Sequence, residues 1–270
     1  MDAAQLSLNQ ITTRGWSLPE AVDGCVQAGI GWIGLWRDKV AETGLEESVR
    51  LLRDAGVGVS SLCRGGFFPA ESADERRRVR ADNRRAVDEA AALGTDVLVL
   101  VCGGLADGDV TRSREMVAEG IAELAPYAGE RSVKLAIEPL HPLFCADRSV
   151  IVTLAQALDL AERFPADQVG VVVDTFHVWW DPTVEADIAR AGERILSLQV
   201  GDWLDPLPDL LLGRGMMGDR VIDFRPLRAA VERAGCTEPV GVKIFNRAIW
   251  DRPGEEVVRE LRDRFADLIA

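Results

Sequence analysis

At 270 residues, 47% hydrophobic and 28% charged, with 31 Lys and Arg against 44 Asp and Glu, the chain has the composition of one soluble globular domain spanning residues 1–270, with a net charge of −13. That charge repels a polyanion, so nucleic acid is not an expected partner, and no run reaches the roughly 18 apolar residues that cross a bilayer, so neither is a membrane. The five cysteines are scattered without a CxxC pair, against a disulfide framework or zinc cluster, and "MDAAQLSLNQIT" lacks a basic stretch and apolar run for export, so the cytoplasm is the expected location.

Along the chain, short apolar segments recur: "LSLNQI" at 6–11, "WIGLW" at 32–36, "GVSSLC" at 58–63 and "DVLVLVC" at 96–102. They continue as "KLAIE" at 134–138, "GVVVD" at 170–174, "ILSLQV" at 195–200 and "VGVKIF" at 240–245. Each precedes a stretch of helical periodicity. "SLPEAVDGCVQAG" carries Ser17 as a cap and Gly29 as a stop, and "PGEEVVRELRDRFADLIA" reads as a closing helix. "DERRRVRADNRR" at 74–85 places arginines at helical spacing and reads as a solvated face pairing with its own acids. Strand and helix alternate without a Ser/Gly linker and without GxGxxG after the first strand, which predicts a single-domain α/β protein, a closed (β/α)8 TIM barrel, over an open sheet.

Side chains alternate along a strand with a period of two. In the fifth segment Leu135 and Ile137 oppose Ala136 and Glu138; in the sixth Val171 and Val173 oppose Val172 and Asp174. The seventh sets Leu196, Leu198 and Val200 against Ser197 and Gln199, and the eighth sets Val242 and Ile244 against Gly241 and Lys243. The branched apolar set belongs under the helices. The other set points into the barrel, with Glu138, Asp174, Gln199 and Lys243 at the C-terminal ends of the strands, where barrel enzymes place their chemistry. A satisfied ion pair of Glu138 with Lys243 would account for two of them; four converging polar groups incur desolvation costs that function explains better. The only two histidines, His141 in "EPLH" and His177 in "DTFH", follow two of those acids by three residues and read as acid/base or substrate-binding groups.

"SLCRGGFFP", "LAIEPLHP", "VVVDTFHVWWDP", "LQVGDW", "GRGMMGDRVIDF" and "GVKIFN" resemble, in order and over nearly the whole chain, segments of the sugar phosphate isomerase/epimerase branch of the xylose-isomerase-like barrel superfamily. The resemblance implies a divalent metal, Mn, Co, Mg or Zn, on four strand-end ligands. Those positions fall on Glu138, Asp174, Gln199 and Lys243. The first three suit a hard cation; a protonated lysine has no lone pair and repels one. The family's pair of acids for proton abstraction is broken at the same position. Lys243 therefore takes the metal's place between Glu138 and Asp174, or acts as an amine nucleophile or base; the two carboxylates favour the first.

Trp36, Trp179, Trp180, Trp203 and Trp250 follow strand ends and offer flat walls for a sugar ring, Trp36, Trp180 and Trp203 being the substrate-binding candidates. The segment 204–223 is long enough for a lid, and its Arg214 resembles an arginine of the family that reaches the substrate. Arg64 in "CRGG" and Arg37 in "LWRD" are candidates for binding an oxyanion. The expected function is an isomerase or epimerase of a sugar, sugar phosphate or related small cyclic or polyhydroxylated carbonyl compound, with Glu138, Lys243, His177 and His141 as catalytic candidates. The rivals are a metal-independent lyase, dehydratase or cyclase on the same scaffold, and a non-catalytic ligand-binding or partner subunit. A small-molecule substrate is the expected partner; a homodimer is left open.

Overall fold

Eight parallel strands close into a barrel in the computed structural model, which describes residues 1–270. In chain order they are β1 (Leu6–Asn9), β2 (Trp32–Trp36), β3 (Gly58–Gly66), β4 (Val97–Val101), β5 (Lys134–Glu138), β6 (Val169–Asp174), β7 (Ile195–Val200) and β8 (Val240–Val242). Each pairs with its chain neighbours, and β8 closes on β1 with Leu6 opposite Val240. Helices separate the strands and cover the outside, as a parallel sheet buried on both faces requires. The helix Leu18–Ala28 starts at Ser17 in a capping box with Glu20 and stops at Gly29, whose φ of 69° suits glycine.

The alternation read from the sequence holds for β5, β6 and β8. Leu135, Ile137, Val171, Val173, Val242 and Ile244 pack in the large outer core, while Ala136 and Val172 belong to a small cluster inside the barrel. Strand β7 departs from it. Leu196 joins the interior cluster with Val97, Val99 and Val172, although Leu198 and Val200 face the helices as expected. The register slips there: Val171 pairs with Ile195 but Val172 pairs with Ser197, so Leu196 is the extra residue of a bulge. Gln199 still emerges opposite Asp174, at the mouth.

A second irregularity lies in β3. Cys63 pairs with Val99 and Gly65 with Leu100, which leaves Arg64 without a partner on β4. The buried Asn83, from the helix Ala73–Ala92, clamps the strand just beyond it: its Oδ1 accepts from the Gly66 amide at 2.6 Å and its Nδ2 donates to the Gly66 carbonyl at 2.8 Å. Glycine is required at 66, where φ is 108° and a Cβ would lie 2.0 Å from the Val101 carbonyl oxygen. The arginines of that helix mostly pair with acids, among them Arg80 with Glu123 and Arg85 with Asp82, as the sequence suggests.

After β7 the chain makes a small antiparallel excursion in which Asp202–Trp203 pairs with Arg214–Gly215. The buried Asp202 carboxylate accepts from the amides of Arg220 at 2.7 Å, Val221 at 3.1 Å and Ile222 at 2.9 Å. Asn246 Nδ2 donates to the Arg214 carbonyl at 2.8 Å and the Arg214 amide to Phe245 O at 3.1 Å. The base of this segment is anchored, while residues 208–210 and 218–221 stand exposed.

Asn83→Ala strips a buried amide and a buried carbonyl of their partner, each worth about 1–3 kcal/mol when left unpaired. Urea denaturation is expected to show a loss of about 3 kcal/mol with an unchanged m-value.

Candidate functional site

The Lys243 amide donates to Val200 O at 2.9 Å, which extends β8 by one residue and sends the side chain into the barrel after Gly241. Its ammonium meets three oxygens: Glu138 Oε1 by a hydrogen bond, Gln199 Oε1 at 2.7 Å and Asp174 Oδ2 at 3.2 Å. An ammonium has three hydrogens, so this set saturates it. On the other side of Asp174, Arg214 Nη1 reaches the two carboxylate oxygens at 2.8 and 3.0 Å. Arg214 Nη2 lies 2.9 Å from His177 Nε2, and the guanidinium lies over the Phe176 ring at 4.3 Å. Glu138, Asp174, Gln199, Lys243, Arg214 and His177 are all buried.

Burial favours the neutral form of each group, and the charges oppose it unequally. Burial lifts the Glu138 carboxyl above the usual carboxylate range despite Lys243 beside it. Asp174 feels the same burial, but Arg214 and then Lys243 outweigh it and hold the carboxyl well below that range. Burial alone would lower Lys243; Glu138 and Asp174 raise it above the ordinary lysine value, so it stays an ammonium. That excludes a free-amine nucleophile in the resting site. Glu138 is the more basic of the two carboxylates.

Burial drives the His177 imidazole well below its ordinary pKa, so the ring is neutral. Its Nδ1 accepts from the His141 amide at 3.1 Å, which puts the ring proton on Nε2, facing the Arg214 guanidinium. Two donors then oppose each other. An oxygen acceptor between Arg214 Nη2 and His177 Nε2 would satisfy both, so this contact is the weakest in the cluster.

Above this floor opens a cavity of about 600 Å³, lined by Glu138, Lys243, Arg214 and His177 below and by Trp36, Phe245 and Trp250 at the side. Glu138 Oε2 is buried and has no hydrogen-bond partner. Arg64 and Arg37 line the wall, Arg37 being held by Asp82 and Glu89. Three expectations do not hold. His141 does not line the cavity: its ring packs against Trp203 at 4.9 Å and Trp180 at 5.5 Å, and it serves His177 through its backbone amide. Trp203 stacks on Phe176 at 4.9 Å, behind the wall. Trp180 is outside it too, its indole donating to His177 O at 2.8 Å. Residues 175–178 form a short helix and no longer follow the strand period, which turns Trp180 away, while Trp203 is held in the excursion after β7, opposite Arg214. Cys63 reaches the cavity, but burial pushes its thiol up to about 12, so it is unreactive near neutral pH. Sequence reasoning missed Phe176 and Arg148; Arg148 lies in the loop after β5, and its position beyond a strand end was the available signal.

The profile of the xylose isomerase-like TIM barrel matches residues 22–268. The chain belongs to that family. Among solved structures, protein SMc04130 from Sinorhizobium meliloti 1021 is 47% identical, with a TM-score of 0.96 over 99% of each chain. IOLI protein with a binding zinc atom has a TM-score of 0.87 over 98% of this chain and 97% of its own, but at 20% identity it shows the shared fold alone. A 3-dehydroshikimate dehydratase of Pseudomonas aeruginosa is 29% identical over 90% of this chain, which spans 38% of that protein. An inosose isomerase of Bacillus licheniformis is 26% identical over 56% of this chain and 54% of its own. The chain thus spans about half or less of the length of these curated relatives.

Family resemblance implies a divalent metal, and Glu138, Asp174 and His177 do bring ligand atoms within 4.8 Å of one another. Apart from Glu138 Oε2, the ligand atoms of this set are already engaged. Lys243 holds Glu138 and Gln199, Arg214 holds Asp174 and faces His177, and the two carboxylates balance the two cations. A dication about 4 Å from the ammonium would be repelled by about 8 kcal/mol at an effective dielectric of 20. These donors do not fit a divalent metal.

Lys243→Glu removes the competing cation and leaves three carboxylates. Calorimetric titration with Mn²⁺ is expected to show one site in Lys243→Glu and no saturable heat in the unaltered protein; stoichiometric Mn²⁺ in the latter after dialysis would overturn the assignment.

Proposed function

We propose that the protein enolises a small cyclic or polyhydroxylated carbonyl compound with Glu138 as its single base, and that the enolate collapses by loss of a β-hydroxyl, making it a dehydratase. The observation that carries this reading is the unpartnered, basic Glu138 Oε2 at the floor of a cavity whose neighbouring groups are cations. The substrate carbonyl oxygen takes the place between Arg214 Nη2 and His177 Nε2 and accepts from both. Glu138 is fully covered, so the substrate reaches Oε2 only as a side chain yields, and the mismatched Arg214 to His177 contact is the one that yields.

Glu138 takes the proton on the carbon next to the carbonyl. The C–H pair becomes the carbon–carbon double bond, and the carbonyl π pair moves onto oxygen, where Arg214 and the Lys243 charge stabilise it. The oxygen pair then re-forms the carbonyl, the double bond shifts, and the β-hydroxyl leaves as water with the proton from Glu138. One base serves both steps from one face. Epimerisation needs a group on each face, and Lys243, held as an ammonium, is no second base. The dehydratase relative, which aligns with 90% of this chain, supports the same direction. A second reading is isomerisation, in which the same enolate is reprotonated on the neighbouring carbon; the inosose isomerase relatives favour it.

The test is proton NMR in D₂O with 3-dehydroshikimate and with an inosose, the compounds named in those relatives. Deuterium is expected at the carbon next to the carbonyl, with ultraviolet absorbance rising as water is lost; exchange without absorbance would favour isomerisation, and neither would refute enolisation. Glu138→Gln is expected to slow exchange by about 10² to 10⁴, the usual contribution of a general base. The base works only ionised and its pKa is raised, so the rate of the unaltered protein falls with acidity from above the usual carboxylate range.

A further inference from the structure

The cavity wall carries more positive charge than its floor uses. Its lining holds six cationic side chains, Arg14, Arg37, Arg64, Arg148, Arg214 and Lys243, against the three carboxylates Asp38, Asp82 and Glu138. This happens in a chain of net charge −13. Four of the six have partners: Lys243 and Arg214 hold Glu138 and Asp174, Arg37 bonds Asp82 and Glu89, and Arg14 faces Asp38 at 3.8 Å. Arg64 has no carboxylate within 4.0 Å; its guanidinium lies 4.3 Å from the centre of the Phe67 ring, which stacks one face and leaves the N–H edge free. Arg148 meets only its own neighbour, the exposed Asp147, at 3.7 Å and through Nε alone.

Both are built into place. Arg64 is the extra residue of the β3 bulge, so it leaves the period that would have turned it toward the helices, and Asn83 fixes the strand two residues on. The Arg148 backbone is tied at both ends, its carbonyl accepting from Gly103 N at 2.9 Å and its amide donating to Phe144 O at 3.0 Å. A bulge, a clamp and two glycines serve to present one half-buried, unpaired guanidinium to a cavity. Guanidinium groups recognise planar oxyanions through paired N–H bonds, more strongly where water is partly excluded.

We infer that Arg64 and Arg148 form an oxyanion-recognition site at the cavity mouth, so that the substrate is a carbonyl compound bearing a carboxylate or a phosphate. This deepens the enolisation reading and rests on the same cavity being the substrate site; binding tests it apart from turnover. The probes are two pairs matched in shape and differing in charge: benzoate with benzamide, and glucitol 6-phosphate with glucitol. Fluorescence of Trp36 and Trp250, which line the cavity, reports occupancy, with calorimetry as a second measure. At low salt the charged member of one pair is expected to bind at least about tenfold more tightly than its neutral twin, as charge-assisted hydrogen bonds allow. The pair that shows it tells carboxylate from phosphate.

Arg64→Gln and Arg148→Gln should each remove most of that discrimination without changing affinity for the neutral twin. Arg64→Lys should keep part of it, and Arg262→Gln, on the exposed face of the closing helix, all of it. Equal binding of charged and neutral twins in both pairs, or discrimination that survives in Arg64→Gln and Arg148→Gln, would overturn the inference. Glu138→Gln separates the two proposals: oxyanion binding persists in it while exchange is lost. Oxyanion binding that depends on Arg64, with no exchange for any carbonyl compound, would sink the enolisation reading alone.

Discussion

An ammonium with three hydrogens sits among three oxygens at the base of the barrel mouth, and the state of every polar group nearby follows from it. Lys243 keeps Asp174 ionised together with Arg214, and it occupies Gln199, which has no other role in the cluster. It also leaves Glu138 with one oxygen engaged and one free. Buried ion pairs contribute little net stability because desolvation offsets their attraction, so this arrangement makes sense as a charge-balanced setting for chemistry more than as a brace. A proton can move on and off Glu138 while two fixed cations stay in place.

The barrel delivers that setting through a few departures from regular strands. Side chains of six strand residues make the inner packed layer, and the strand ends above it carry the polar ring. Strand β7 reaches the ring in register only because the bulge at Leu196 restores the phase. Strand β3 does the reverse, using its bulge to bring a guanidinium to the cavity. Arg214 comes from no barrel strand. It is carried in by the excursion after β7, whose base Asp202 and Asn246 fasten.

Period-two alternation made the barrel and its inner ring legible, since Glu138, Asp174, Gln199 and Lys243 each stand at a strand end where phase is unambiguous. Leu196 was misread because a bulge leaves no compositional mark; its flanking residues are as apolar as those of a regular strand. His141, Trp180 and Trp203 were assigned to the substrate by proximity to strand ends, but beyond a strand the direction of a side chain depends on the turn that follows. There the short helix at 175–178, the turn at 142–144 and the excursion at 202–203 point them at one another. Arg148 was overlooked for the opposite reason: a charged loop residue looks like ordinary surface until the fold shows what it overlooks.

The buried Glu138, Asp174 and Lys243 come from β5, β6 and the edge of β8, whereas the mouth is furnished by the end of β3 and the loop after β5. The Asn83 clamp belongs to the second group and touches nothing in the first. Descendants of such a barrel can therefore drift in what they admit, by changing the residue at 64 or its loop neighbours, while inheriting the buried charge cluster intact. Laboratory selection for new selectivity has the same opening, and libraries confined to those outer positions would leave the buried charge balance undisturbed.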